Sequence, residues 1–195
     1  NEEYIKERLW NYAYLNKGLT ITFNGKTIRS PGGLMDLVKK ILGDDGLYPL
    51  INYKSKSLEF SFTHTNGYGE SYHSYVNGQY TSDGGTHEAA FKEGVLKGIN
   101  EFFHKSWAAP EIRDGIVATV AIKVMNPVFE SQTKNKLGNT DVRAWIVPEV
   151  KAALIDCQRK RKDIAKGRED KNISNEKIHK EEAAVRDGAK EKAKR

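Results

Sequence analysis

Apolar residues recur along this chain with two different periods, and the changes of period divide it into elements. Ile5, Leu9, Tyr12 and Ala13 fall on one helical face across residues 2–15, and Asn16-Lys17-Gly18 supplies a stop. Leu19, Ile21 and Phe23 then alternate with Thr20 and Thr22 as a half-buried strand, and Asn24-Gly25 turns the chain back. Pro31-Gly32-Gly33 breaks the pattern, after which Leu34, Leu37, Val38, Ile41 and Leu42 predict a short amphipathic helix closing near Gly43. Leu58, Phe60 and Phe62 alternate up to a turn at Asn66-Gly67. The next strand, about Glu70 to Val76, exposes Glu70 and His73, and the two runs together predict an antiparallel hairpin. Past Asp83-Gly84-Gly85, the longest helical period runs from about His87 to Lys105, with Phe91, Val95, Ile99 and Phe102 facing the sheet. Residues 115–125 are mostly Ile, Val and Ala and predict a central strand that Asn126-Pro127 ends. A further helix spans about Asp141 to Ile155.

Two or three strands, a long helix, another strand and a helix predict a two-layer α+β domain with helices on one face of its sheet. From Gln158 onward the apolar stripe ends. Gly167 and Gly188 each cost about 1 kcal/mol relative to Ala in a helix interior, so the tail reads as a solvated, partly helical connector. The expected divisions are a leading helix (1–18), the main domain (19–155) and a basic tail (156–195). No internal repeat is visible.

Charge sharpens that division. The net charge of +6 comes wholly from residues 151–195, which hold 15 Lys/Arg against 9 Asp/Glu, whereas residues 1–150 hold 17 of each. A basic tail suits either a solvated linker or contact with phosphate. No apolar run approaches the roughly 18–20 residues that cross a bilayer. The start, Asn1-Glu2-Glu3, lacks an initiator Met and a signal pattern, so we expect a piece of a longer protein. Cys157 is the single cysteine, which rules out an intrachain disulfide and favours a reducing, cytoplasmic setting.

The candidate chemistry centres on Gln132, Thr133 and Lys134, just past the central strand. A compact ammonium flanked by an amide and a hydroxyl suits a phosphate oxygen; the plain alternative is a solvated loop. Asp83-Gly84-Gly85-Thr86-His87-Glu88 opens the long helix, where unpaired N–H groups and His87 could meet an anion. The competing reading is a tight turn capped by Thr86. Neither a Walker loop nor a dinucleotide fingerprint is present. Histidines 64, 73, 87, 104 and 179 are scattered singly, so no metal site is expected. Arg159, Arg161, Lys162, Lys166 and Arg168 form the densest basic patch, without aromatic residues for base stacking.

Several stretches, in order over residues 4–155, resemble the transducer domain of bacterial type IIA topoisomerase B subunits, those of DNA gyrase and topoisomerase IV. Leu15-Asn16-Lys17-Gly18-Leu19 is similar to the family's helix-to-strand passage. Phe62 to Asn77, with Tyr68, Glu70 and Tyr75-Val76-Asn77, resembles its central hairpin. Thr81, Gly84-Gly85-Thr86-His87-Glu88 and Phe91 resemble its helix start, and Val128 to Gly138 its Gln-Thr-Lys loop. The wording around Val76-Asn77-Gly78-Gln79 and Phe129-Glu130-Ser131 leans toward topoisomerase IV.

The resemblance implies a four-stranded mixed sheet in β-β-β-α-β-α order with a left-handed crossover. It implies that Lys134 meets the γ-phosphate of ATP in a preceding GHKL-type ATPase domain, that Gln132 holds the same phosphate, and that Thr133 and Lys136 support the loop. ATP and Mg²⁺ would be bound mainly by that other domain, leaving this chain alone inactive. The implied partners are the ATPase and TOPRIM domains of the same subunit, the A-type cleavage subunit, duplex DNA and a second copy of the subunit, in the bacterial cytoplasm. Arg159, Arg161 and Lys162 would face DNA, and the tail after Asp156 aligns poorly. Two other readings stay open: a stand-alone nucleic-acid-binding module gripping phosphate with the basic tail, and the second domain of a different GHKL ATPase.

Overall fold

The computed structural model describes residues 1–43 and 45–194. Helix α1 (Glu2–Leu15) is capped by the Asn1 side chain, which accepts from the Glu3 N–H. The strands β1 (Thr20–Phe23) and β2 (Lys26–Arg29) form the expected hairpin, with Asn24 and Gly25 both at positive φ in the turn. Helix α2 (Leu34–Leu42) follows.

The main sheet is built from β3 (Ile51–Lys54), β4 (Leu58–His64), β5 (Ser71–Val76), β6 (Gln79–Tyr80) and β7 (Ile116–Ile122), in the order β3-β4-β7-β5-β6. It has five strands where four were expected, the two-residue β6 being added at one edge. It is mixed: β7 runs antiparallel to β4 and parallel to β5. The expected pairing of 58–62 with 70–76 is therefore wrong. Strand β7 lies between them, because its residues are apolar on both parities and require the buried middle position.

Between β6 and β7 come α3 (Thr86–Phe103) and the short α4 (Ala109–Arg113); α5 (Arg143–Lys160) and α6 (Lys162–Ala193) complete the chain. One sheet face carries Phe60, Phe62, Val76, Ala118, Val120 and Ile122 into a core with Phe91, Val95 and Ile99 of α3 and Ile146, Val150 and Leu154 of α5. Helices α3 and α5 approach closely because a side chain at Gly94 would meet Val150 and one at Gly98 would meet Leu154.

Helices cover the other face too, contrary to the two-layer expectation. Tyr14 of α1 and Leu34 and Leu37 of α2 pack with Tyr75 against Ala121. That face presents Ser61, Thr63, Thr119 and Ala121, small residues whose polarity hid the layer from an apolar count.

The tail also departs from expectation. Helix α6 is continuous through Gly167 and Gly188, and its first half buries Ile164, Arg168, Lys171, Asn172 and Asn175. Gly167 stands where a side chain would strike the Tyr48 ring, so it serves close packing and does not break the helix.

Beneath α6, the buried His64 donates from Nε2 to the Ile112 carbonyl at 2.6 Å and accepts at Nδ1 from the Tyr48 hydroxyl at 2.5 Å. Burial, aided by the Arg168 charge, pushes its pKa from 6.5 down to about 3. A histidine depressed in the folded state stabilises fully above pH 6.5 and loses that stability as pH falls toward 3. Between pH 7 and 4.5 this group should contribute about 2 kcal/mol of destabilisation. His64→Gln, which keeps a donor and an acceptor, should remove about that much from the pH dependence of the unfolding free energy measured by urea titration; an unchanged dependence would refute the assignment.

Candidate functional site

Residues 126–139 form a small hairpin hung from the start of α3. The Gly138 N–H donates to the Val128 carbonyl at 2.7 Å and the Glu130 N–H to the Lys136 carbonyl at 2.9 Å, which sets Phe129 opposite Leu137. Asn139 ties its base, accepting from the Val128 N–H and donating to the Asn126 carbonyl. Lys136 and Glu130 close the stem with an ion pair at 3.2 Å. At the tip the Lys134 N–H donates to the Ser131 carbonyl at 3.1 Å, and the Ser131 and Thr133 hydroxyls lie 2.7 Å apart. Lys134 sits at φ 58°, the left-handed region that costs a non-glycine residue about 1 kcal/mol.

Leu137 anchors the hairpin. Its side chain is fully buried in the core of α3 and α5. Its backbone runs parallel to the segment leading into α3, donating to the Gly84 carbonyl at 3.1 Å and accepting from the Thr86 N–H at 3.0 Å. The Asp83 N–H adds a bond to the Asn135 carbonyl at 2.9 Å. Gly85, at φ 131°, lies against Leu137 so closely that a Cβ there would overlap the Leu137 N and O atoms. Gly85 therefore lets two backbones touch, while Gly84, at φ 72°, supplies the left-handed turn before it.

Of the two readings of that turn, the tight strand-to-helix turn holds, the Gly84 N–H donating to the Thr81 carbonyl at 3.0 Å, and the anion pocket does not. The Thr86 N–H is spent on Leu137, so the helix start is a clamp for the loop and not an open anion pocket. Nor is Thr86 the cap: Gly85 occupies that position without any side-chain bond. His87 is fully buried with Nε2 at 3.1 Å from the Thr81 hydroxyl, and burial pushes its pKa down to about 4, so it remains neutral and turned inward. The Thr81 hydroxyl donates to the Ser74 carbonyl, and the Ser74 hydroxyl to Glu88, which joins β5 to the first turn of α3.

The structure brings Gln132, Thr133 and Lys134 together at the hairpin tip, all exposed, with Lys136 held in the stem. Thr133 and Asn135 border a groove shared with Tyr4, Arg8 and Tyr12 of α1 and with Gln79 of β6. The expected DNA-facing residues Arg159, Arg161 and Lys162 lie elsewhere, exposed around the α5–α6 junction. Arg161 is bidentate to Asp163, at 3.1 and 2.9 Å. Arg168 is fully buried and does not belong to a surface basic patch. Among the described residues no group of three or more His, Cys, Asp or Glu is placed to hold a metal ion. No helix among them is long and apolar enough to cross a membrane.

A rigid stem carrying a cation, an amide and a hydroxyl into solvent can offer an anion a preset set of donors, but it cannot enclose one. In the sequence the Gly-Gly turn and the loop stand as separate motifs. The signal that links them is Leu137, the lone large apolar residue in a polar stretch opposite two glycines.

A similar fold occurs in known proteins. The DNA gyrase B family profile matches residues 33–188, and the chain belongs to that family. It is 47% identical over 196 residues to the B subunit of DNA topoisomerase 4 from Borreliella burgdorferi, covering 100% of this chain and 33% of that protein. It is 35% identical over 161 residues to the DNA gyrase B subunit of Helicobacter pylori, covering 73% of this chain and 21% of that protein. Its fold is similar to the 43K ATPase domain of Thermus thermophilus gyrase B crystallised with an aminocoumarin: TM-score 0.83, 27% identity, 96% of this chain and 56% of that one. The chain thus spans about a third or less of the length of these curated relatives.

Gly85→Ala should free the hairpin. We expect amide exchange at Leu137 and Thr86 to accelerate at least about tenfold, with exchange in β4 and β7 unchanged. Unaltered exchange at Leu137 would show that the close approach does not hold the loop.

Proposed function

We propose that this chain is the transducer segment of an ATP-dependent type II DNA topoisomerase B subunit, coupling nucleotide state in a GHKL-type ATPase domain to DNA-gate closure. The observation that carries the reading is the exposed Lys134 ammonium on a hairpin clamped to α3. Phosphoryl transfer requires little of a protein beyond positioning and charge stabilisation, and a pre-set lysine supplies both.

The donor set fits a phosphate. Lys134 gives a point cation, Gln132 a neutral amide beside it, Thr133 a hydroxyl already oriented by Ser131, and Lys136 stiffens the stem. ATP with its Mg²⁺ would bring the scissile phosphoanhydride, held mainly by the other domain. The one carboxylate in the stem, Glu130, is engaged by Lys136, so this loop is suited to contact phosphate and not metal. Once the terminal phosphate leaves, Lys134 loses a contact that favours one domain orientation, and the equilibrium between orientations shifts. The groove beside α1 gives the ATPase domain a surface on which to rest.

The remaining partners in this reading are a TOPRIM domain, the A-type cleavage subunit, duplex DNA and a second copy of the same subunit. The isolated chain is inactive in this account. The stand-alone nucleic-acid module has less support, because Arg168 is buried and Arg161 is committed to Asp163.

In a protein joining this chain to its ATPase domain, Lys134→Ala should lower ATP turnover about 100-fold. Thermal stability should be little altered, since the side chain is exposed. Turnover near the unsubstituted rate would defeat the proposal.

A further inference from the structure

The most anomalous part of the molecule is the underside of α6. Five residues of its first half are buried, and only Ile164 among them is apolar. Arg168 is fully buried, its guanidinium 4.8 Å from the Phe62 ring centre and 5.5 Å from that of Tyr48. Among the described residues none of its three nitrogens finds a hydrogen-bond partner. The Tyr48 hydroxyl gives its proton to His64 and leaves an oxygen lone pair near the guanidinium, a contact too poor in geometry to satisfy any of the three nitrogens. Both amide atoms of Gln158 on α5, and both of Asn172 on α6, are also buried without partners.

Buried polar groups are normally paired, and buried charges almost always are. Among the described residues, the charged or titratable groups set against Arg168 are Tyr48, Cys157 and His64, and none of these is a carboxylate. Stacking on two rings recovers part of the lost hydration only. The far end of the segment is held differently. The Asn175 amide donates to the Glu111 and Asp114 carbonyls at 2.9 and 3.0 Å, and Glu176 accepts from the Trp107 ring at 2.9 Å. Those bonds can be exchanged for water at small net cost. At the near end the chain leaves helical geometry at one residue, Arg161, with φ −122° and ψ 91°.

We infer that the first half of α6, Lys162 to Asn175, is a releasable strap. It pivots about Arg161 away from the Tyr48–Phe62–His64 surface while the sheet with α3 and α5 stays folded. Release rehydrates one guanidinium and two amides, and gives up one buried isoleucine, two aromatic stacks and the Asn175 bonds to the Glu111 and Asp114 carbonyls. The buried polar groups thus lower the cost of opening this segment relative to opening the apolar seam between α3 and α5. Strap release does not depend on what Lys134 contacts.

Native-state hydrogen exchange on the whole chain tests this. In the unsubstituted protein, amides of residues 164–175 should exchange at least about 100-fold faster than those of β4 and β7, through an opening that leaves β4 and β7 protected. Arg168→Met removes the uncompensated charge and keeps most of the apolar stem, so it should slow α6 exchange about tenfold and raise the melting temperature. Gly167→Ala presses on the Tyr48 ring, where the added Cβ would lie 2.8 Å from the Tyr48 Cβ, and should speed exchange in α6 alone. Exchange of α6 only by global unfolding would overturn the inference. So would faster α6 exchange in Arg168→Met, or equal acceleration of α6 and the sheet in Gly167→Ala.

Discussion

Leu137 exchanges backbone hydrogen bonds with the two residues that flank Gly85, and in the same place its side chain seals the core between α3 and α5. This pairing costs Gly85 an unusual φ and forbids it a side chain, and in return it fixes the one exposed lysine that the fold, among the described residues, holds in a left-handed turn. If the pairing were lost, residues 131–136 would be an ordinary mobile loop whose cation could not select an orientation. With it, the tip is part of the same rigid unit as the core helix α3.

That unit extends further than the loop. Gly94 and Gly98 let α3 lie directly on Val150 and Leu154 of α5, and β7 threads the sheet beneath both helices. Close-packed interiors transmit displacement, because there is no slack volume to absorb it. The contrast with α6 is physical. α3 and α5 meet through apolar side chains, whereas α6 meets the body through a guanidinium, a lysine stem, amides and a single isoleucine. One interface is suited to carry motion and the other to release.

Much of this was legible in the residues. Periods of 3.6 and 2 located α1, α2, α3, α5 and the strands β1, β4, β5 and β7, and Asn24-Gly25 announced its hairpin. The strand order was not legible. Local alternation says that residues 58–64 and 71–76 are strands, but only the two-sided apolarity of 116–122 says which strand comes between them. The second helical layer escaped notice because serine, threonine and alanine line that sheet face. The tail misled for a related reason: its buried face is polar, so burial left no apolar stripe to read. At the candidate site the donors at 132–134 were visible as residue types, while the backbone clamp that positions them leaves little trace in side-chain identity beyond two glycines and a leucine.

The central claim is that the Lys134 side chain, held out by this clamp, ends on the terminal phosphate of a nucleotide bound next door. The direct measurement is a structure of the chain together with its ATPase domain, loaded with a non-hydrolysable ATP analogue. The account predicts the Lys134 Nζ within about 2.9 Å of a γ-phosphate oxygen, with the Leu137–Gly84–Thr86 pairing intact. A nucleotide fully bound with Lys134 directed into solvent would contradict it.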